Sequence, residues 1–312
     1  MKILFIGPND ELKYNVGHHK FKLEIAKQHQ VTWYGKDWPK YDLSIVHVRD
    51  ILKIVPNKYD VIMTYFYKRI LGVRGLGGVT NIPKVHFVMD LVEKLPGGGL
   101  DNSDQIEKSF AVFNRDKYDI YFCVDMRSVN ILKKNGFDNI HLLPFSVDIN
   151  WFDIEDVEKI RDVYFGMSMN PILYPNRLKI KEMLVKKFRR DQLVTSAIKF
   201  AGYPILLRKS KILINSVNYW KSVNYKILEA SSCGTMVLTD KPDELDNYGL
   251  IDGEHLVIYN GVNDLEEKLN YYLSHDEERE LIAKTGCDFV REHHNTNVRV
   301  KQMTQIMENN LP

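Results

Sequence analysis

Lys226 and Glu229 stand three residues apart in SVNYKILEASSCGTMVLTD, residues 222–240, a stretch with a polar start, a Cys-Gly stop and an apolar run that ends in Asp240. Ser222 or Asn224 can cap a helix whose first amides would otherwise lack partners, and Gly234 suits the left-handed turn that ends it. An anion at the start of that helix would meet free amides, the positive end of the helix dipole and the charge of Lys226. The competing account is an ordinary Lys-Glu pair on a solvated helix face, which is common and contributes little.

Which account holds depends on where the helix begins in the fold. Residues 236–239 form a brief, partly β-branched apolar run that suits a buried parallel strand. The segment is therefore a helix of about three turns feeding a strand, half of the unit that repeats in a doubly wound sheet. In such sheets ligands bind at the carboxyl ends of strands and at helix N-termini. Here that means the loop 218–224 and the first turn after it, with Lys226 and Glu229 on the face nearest that end.

The same alternation runs along the whole chain. Strands are expected at 2–6, 31–34, 60–64, 84–89, 119–124 and 140–143, with helices at 18–28, 103–114 and 126–135 between them. A second series follows, with strands at 163–165, 198–201, 211–215, 236–239 and 255–259 and helices from 262 onward. Between the two series, LLPFSVDINWFDIEDVEK ends a strand in Pro-Phe and continues as an acidic connection, which marks a domain boundary at 150/151. The fold class is α/β with two Rossmann-like, doubly wound parallel-sheet domains facing a central cleft. They span 1–150 and 151–294, with a C-terminal helix at 295–312 returning to the first domain and His293 and His294 packing at that return.

Composition bounds the rest. At 312 residues the chain is about twice a typical domain. It is 44% apolar and 27% charged, with no apolar run long enough to cross a bilayer. The opening MKILFIGPND stops being apolar at Gly7, so it reads as a first strand rather than a signal peptide. Cys123, Cys233 and Cys287 are widely separated, with no CxxC or Cys/His cluster. That argues against a disulfide framework or a structural zinc site and fits the cytoplasm. The net charge of +2 hides NRLKIKEMLVKKFRR, residues 176–190, with seven Lys or Arg against one Glu. A solvated helix face accounts for that run, and a phosphate-facing surface is the alternative. Two glycine-rich stretches, GVRGLGGVTNIP and KLPGGGLDNS, lack the GxGxxG spacing of a dinucleotide fingerprint and read as connections.

The stretch NYKILEASSCGTMVLTD followed by DGEHLVIYNGVNDLEEKLNYYLSHDEERELIAKTGCDFVREHH resembles the C-terminal half of group 1 glycosyltransferases, closest to the branch related to the spore-maturation protein CgeB. The order of features carries the resemblance: an E-A-x-x-C-G helix, an apolar strand ending T-D, D-G-E, a D-x-x-E run, IAKTG and a closing E-H. The match spans about residues 163–299, and the first half matches only in architecture. The resemblance implies a GT-B enzyme that transfers a hexose from a nucleoside-diphosphate sugar, UDP-linked, to an acceptor hydroxyl. It implies retention of anomeric configuration, no essential metal and no tightly bound cofactor.

The site residues follow from the same resemblance. The donor diphosphate sits at the mouth of the helix that starts at Tyr225, lined by Ser222, Asn224 and Lys226, and Glu229 accepts hydrogen bonds from the donor ribose. Gly166 lets the backbone approach a ligand, Ser168 donates to phosphate, and Arg177 neutralises the leaving diphosphate. Apart from the resemblance, Tyr203, with Pro204 after IKFAG, is placed to face the nucleotide base, and an aromatic there could equally be core. Lys221 stands where many relatives carry a second Glu, which leaves the role of that carboxylate open. No D-x-D motif sits on a convincing loop.

On the acceptor side the candidates are His18 and His19, to orient or deprotonate an acceptor hydroxyl, and Asp90 at the end of KVHFVMD. Equally, the histidines flank a helix and Asp90 terminates a strand. The acceptor is a glycan, a small molecule or a protein. Two other functions compete with this one. A DNA base (hydroxymethylpyrimidine) glycosyltransferase of viral type would use the basic run on duplex DNA, and an inactive nucleotide-sugar-binding module is suggested by Lys221.

Overall fold

A computed structural model describes residues 1–9, 16–55, 57–65, 73–89, 91, 103–152, 157–195 and 202–311. The chain divides into two compact units, Met1–Pro144 with Arg299–Pro312, and Phe145–Val298.

The first unit carries β1 (Lys2–Ile6), α1 (Val16–Gln28), β2 (Gln30–Tyr34), α2 (Val48–Ile54), β3 (Val61–Tyr65), β4 (Lys84–Val88), α3 (Ser103–Asp116), β5 (Ile120–Cys123), α4 (Met126–Lys134) and β6 (Ile140–Leu142). The strands pair in parallel in the order β2-β1-β3-β4-β5-β6. Every residue of β3, β4 and β5 is buried, as expected for a parallel sheet covered on both faces. One face is knit by an aromatic row with one ring from each strand. Trp33, Phe5, Tyr65, Phe87, Phe122 and His141 follow one another at centroid separations of 5.0, 6.1, 5.6, 5.4 and 6.2 Å.

On the opposite face His86 of β4 is buried, with its Nδ1 2.6 Å from Thr64 Oγ1 and its ring 5.0 Å from that of Phe113. Burial pulls its pKa from 6.5 down to about 3. Between those two values the unfolded chain binds more protons than the native one, so stability falls as pH drops below 6.5. The loss is about 1.4 kcal/mol per pH unit for this one group. Urea unfolding of His86→Gln across pH 7 to 4.5 should show an acid slope shallower by one proton than that of the natural chain. An unchanged slope would assign the acid sensitivity elsewhere.

The second unit contains β7 (Arg161–Tyr164), α5 (Arg177–Lys187), β8 (Leu193–Val194), α6 (Tyr203–Arg208), β9 (Ser210–Asn215), α7 (Tyr225–Ser232), β10 (Met236–Asp240), β11 (Val257–Tyr259), α8 (Gly261–Ser274) and α9 (Asp276–His293). The last helix, α10 (Thr296–Asn310), belongs to the first unit from Arg299 on. His29 Nε2 lies 2.8 Å from Thr304 Oγ1 of that helix. The sheet is again all parallel, in the order β11-β10-β9-β7-β8. Its centre is Ile212, Leu213, Ile214, Val237 and Leu238, all fully buried, with Ile227 and Leu228 of α7 packed in the same core.

Some boundaries differ from the expected ones. The strand expected at 198–201 lies outside the described residues, and the sheet edge is the two-residue β8, too short to leave a periodic signature. Helix α7 has eight residues rather than about three turns. His294 is buried within the second unit, 2.7 Å from the Tyr248 carbonyl oxygen through Nε2, and His293 is exposed. Among the described residues no helix is long and apolar enough to cross a membrane.

Candidate functional site

The second sheet reverses direction between β7 and β9: the chain first runs outward to β8, then returns to the other side of β7. Loops leaving the carboxyl ends of those two strands diverge there, which is where open α/β sheets bind ligands. The first of these loops holds Gly166 and Ser168. Gly166 is buried, and its carbonyl accepts from the Tyr164 hydroxyl at 3.2 Å. Ser168 is exposed, and its carbonyl accepts from Arg177 Nη1 at 2.9 Å.

Arg177, the first residue of α5, is 4% exposed. Its Nε and Nη2 donate to the Ser216 carbonyl at 3.1 and 2.6 Å, and its guanidinium lies 3.3 Å from the Tyr174 ring centroid. The guanidinium thus ties the loop after β7 to the loop after β9. Burial lowers its pKa, opposed by the neighbouring Tyr174 and the Asp240 carboxylate, and arginine stays protonated regardless.

The loop after β9 leads into α7. Asn224 is the cap: its Oδ1 accepts from the Lys226 amide at 3.1 Å while its Nδ2 donates to Asn215 Oδ1 at 3.0 Å. Asn215 Nδ2 in turn donates to Thr239 Oγ1 at 2.9 Å, so the helix start is pinned to the ends of β9 and β10. Ser222 is not the cap. Its amide donates to Asn218 Oδ1 at 3.1 Å, and its hydroxyl is buried with no hydrogen-bond partner among the described residues. The Tyr225 ring packs 4.2 Å from that of Phe145. At the far end Gly234 adopts φ 67°, the left-handed turn its type requires.

Lys226 and Glu229 share one face of α7, and a third side chain joins them. The Tyr203 hydroxyl, from the start of α6, donates to Glu229 Oε2 at 2.8 Å and accepts from Lys226 Nζ at 3.4 Å. Lys226 Nζ also lies 4.8 Å from the Tyr203 ring centroid and 5.8 Å from that of Tyr164. Burial raises the Glu229 pKa, against the Lys226 charge and the Tyr203 hydrogen bond. Burial likewise lowers that of Lys226, against the Glu229 charge. Both groups are half-buried, so each charge is held in a weak dielectric where a ligand group of opposite polarity is felt strongly.

Three of the expected donor-side residues are therefore brought together, with Tyr203 bridging Lys226 and Glu229. Ser222, Asn224 and Tyr225 line the helix mouth beside them, and Tyr164 links the group to Gly166. Lys221 takes a left-handed φ of 52° and is exposed, its Nζ 3.8 Å from Asp243 Oδ1. On the acceptor side, Asp90 and the side chain of His18 lie outside the described residues, and His19 is half-buried on α1. The basic run forms α5, with Arg177 buried, Lys179 and Lys186 exposed, and Lys187 paired with Glu266 at 3.2 Å. Sequence reasoning missed Tyr164 and Asn215. A polar residue closing an apolar strand was the available signal for Asn215, and Tyr164 had none. The loops after β9, β10 and β11 also line a cavity of about 510 Å³ that includes Asn218, Lys221, Asp240, Lys241 and Tyr259.

Residues 177–305 match the family described as Glycosyl transferase-like. No curated protein sequence matches the chain. Solved structures with the same fold include sucrose-phosphate synthase from Thermosynechococcus elongatus, 12% identical with TM-score 0.68, covering 99% of this chain and 98% of that one. Alr3699/HepE of Anabaena, in complex with UDP and glucose, is 12% identical with TM-score 0.70, covering 99% and 100%. An alpha-glucosyltransferase in complex with UDP-glucose and DNA containing an abasic site is 13% identical with TM-score 0.62, covering 98% and 99%. The fold is GT-B, with two Rossmann-like parallel-sheet units.

Proposed function

We propose that this chain, a glycosyltransferase of the GT-B fold acting in nucleotide-sugar transfer, takes a hexose from a UDP-linked donor held by the second unit. It passes the sugar to an acceptor hydroxyl with retention of configuration and without a metal ion. One observation carries the proposal: at the start of α7, beside the crevice between β7 and β9, a single tyrosine hydroxyl bridges Lys226 and Glu229. The carboxylate suits the ribose diol, and the ammonium and first-turn amides suit the diphosphate.

The reaction asks for that arrangement. The bond from the anomeric carbon to the phosphate oxygen breaks with its electron pair passing to the diphosphate. The acceptor oxygen bonds to the anomeric carbon on the face the phosphate leaves, and its proton passes to the departing phosphate oxygen. Charge builds on the leaving UDP, and a preorganised ammonium and helix dipole stabilise it as it forms. Arg177 is engaged with two backbone carbonyls, so its part is to hold the loops around the diphosphate in place. His18, His19 and Asp90 remain the acceptor-side candidates. The UDP and glucose bound by the Anabaena structure support the choice of donor nucleotide. Lys221, in place of a second Glu, favours the CgeB-like branch, and three free thiols fit a cytoplasmic enzyme.

A DNA-base acceptor is the second reading, favoured by the exposed lysines of α5 and by a structural neighbour that holds DNA. It predicts duplex DNA binding that falls steeply with salt.

The primary test is thermal unfolding against a panel of nucleotides. UDP at a hundredfold excess over its dissociation constant should stabilise the chain by about 2.7 kcal/mol, with ADP and GDP giving no shift. UDP release should then follow when UDP-sugar and acceptor are combined. A panel in which no nucleotide raises the midpoint would rule the assignment out, and binding without release would favour an inactive module.

A further inference from the structure

Tyr203 sits 26 residues before Glu229 in the chain, yet its hydroxyl lies between the two charged groups of α7. Lysine has only donors, so the hydrogen-bond chain runs one way: Lys226 Nζ to the Tyr203 oxygen, and the Tyr203 proton to Glu229 Oε2. That direction requires Glu229 to be the acceptor. Oε2 is fixed, while Oε1 makes no hydrogen bond with any described residue. A carboxylate held this way keeps one oxygen wholly available to a diol, where a direct Lys-Glu ion pair would have engaged it.

The tyrosine is itself immobilised. Pro204 follows it in the first turn of α6, and its ring packs edge-on against Phe152 at 6.2 Å and obliquely against Tyr164 at 6.1 Å. The hydroxyl position is thus set by the core of the second unit, and a placement set by packing does not change when a ligand arrives.

We propose that Tyr203 is a positioning residue that orients the Glu229 carboxylate towards the ribose 2′- and 3′-hydroxyls and thereby makes the enzyme select ribonucleotide over 2′-deoxyribonucleotide donors. The inference rests on the assignment of Glu229 to the donor ribose. It differs from the expectation that Tyr203 faces the nucleotide base, because the ring lies among Phe152 and Tyr164 and the hydroxyl is engaged by Lys226 and Glu229.

The experiment is calorimetric titration of the full chain with UDP and with 2′-deoxy-UDP. The natural protein should prefer UDP by more than tenfold. Tyr203→Phe, which removes only the hydroxyl, should weaken UDP by about tenfold and leave 2′-deoxy-UDP nearly unchanged, so that the ratio approaches one. Tyr271→Phe, which removes an exposed hydroxyl bonded to Glu278 at 2.8 Å and outside the site, should keep the natural ratio. A Tyr203→Phe protein that retains the ratio overturns the proposal. Glu229→Gln separates the two levels: if it also retains the ratio, the ribose assignment itself fails, and if it alone loses the ratio, only the positioning role fails. Should Tyr203→Phe not fold, the double variant Tyr203→Phe/Glu229→Gln removes the unbalanced carboxylate and gives the answer. A ratio equal to that of Glu229→Gln alone supports action through Glu229, and any additional loss overturns it.

Discussion

Alanine in place of Glu229 should abolish measurable UDP binding while leaving the unfolding midpoint of the free protein almost unchanged. Two hydrogen bonds from ribose hydroxyls to an ionised carboxylate are worth about 1.5–3 kcal/mol each. Their loss therefore lowers affinity by a factor on the order of 10² to 10⁴. The fold loses little because burial already works against the charged form of Glu229. Removing a half-buried carboxylate forfeits the Tyr203 hydrogen bond and the attraction of Lys226 but also relieves its desolvation. Titration calorimetry with UDP and thermal unfolding without it test the two halves together. Natural affinity in Glu229→Ala would count against the ribose role, and a collapsed midpoint would show that the Lys226, Tyr203 and Glu229 group is chiefly structural.

The second large effect concerns Gly286, in the middle of α9. A Cβ built there would lie 2.2 Å from the carbonyl oxygen of His255 and 3.1 Å from its carbonyl carbon. Backbone cannot move aside as a flexible side chain can, so Gly286→Ala must push α9 away from the segment that enters β11. A cost of about 3 kcal/mol is expected for such overpacking, which lowers the unfolding midpoint by about 6–12 °C in a unit of this size. The damage should reach the site, because α9 closes the C-terminal end of α7: Arg291 Nε donates to the Ser232 carbonyl at 2.9 Å and Cys287 Sγ approaches it at 3.4 Å. Gly234→Ala is the comparison: a Cβ there meets nothing within 4 Å among the described residues, and its φ of 67° is the unfavourable feature. Scanning both variants by calorimetry decides the matter, since equal midpoints would remove the argument from close approach.

Gly286 also shows how far the chain can be read without coordinates. Its place in IAKTG is visible as a motif, but a glycine inside a helix normally only weakens it. The requirement comes from a carbonyl 31 residues away in sequence, at His255. The α7 and β10 segment was legible for the opposite reason. Caps, a Gly stop and an apolar run are interactions within a few residues, so Asn224, Gly234 and residues 236–239 announce themselves. Ser222 and Asn224 were equivalent as caps on residue type, and the bond to Asn215 distinguishes them in the fold. The two-residue β8 has no period to detect. Arg177 illustrates the limit for charge: a cation near a loop reads as a phosphate ligand, while its actual partners are two main-chain carbonyls that no pattern of side chains reveals.

By itself, then, the order of residues determined that this is a two-unit α/β chain with a capped helix leading into a buried strand, and that a Lys and a Glu lie on one face of that helix. Those are consequences of local periodicity and of backbone groups seeking nearby partners. Tertiary structure alone decided that α6 lies beside α7 and brings the Tyr203 hydroxyl between Lys226 and Glu229, that Arg177 joins two loops, and that α9 comes close enough to His255 to demand glycine. Each of these depends on which elements pack side by side, a choice made by burying the whole core at once.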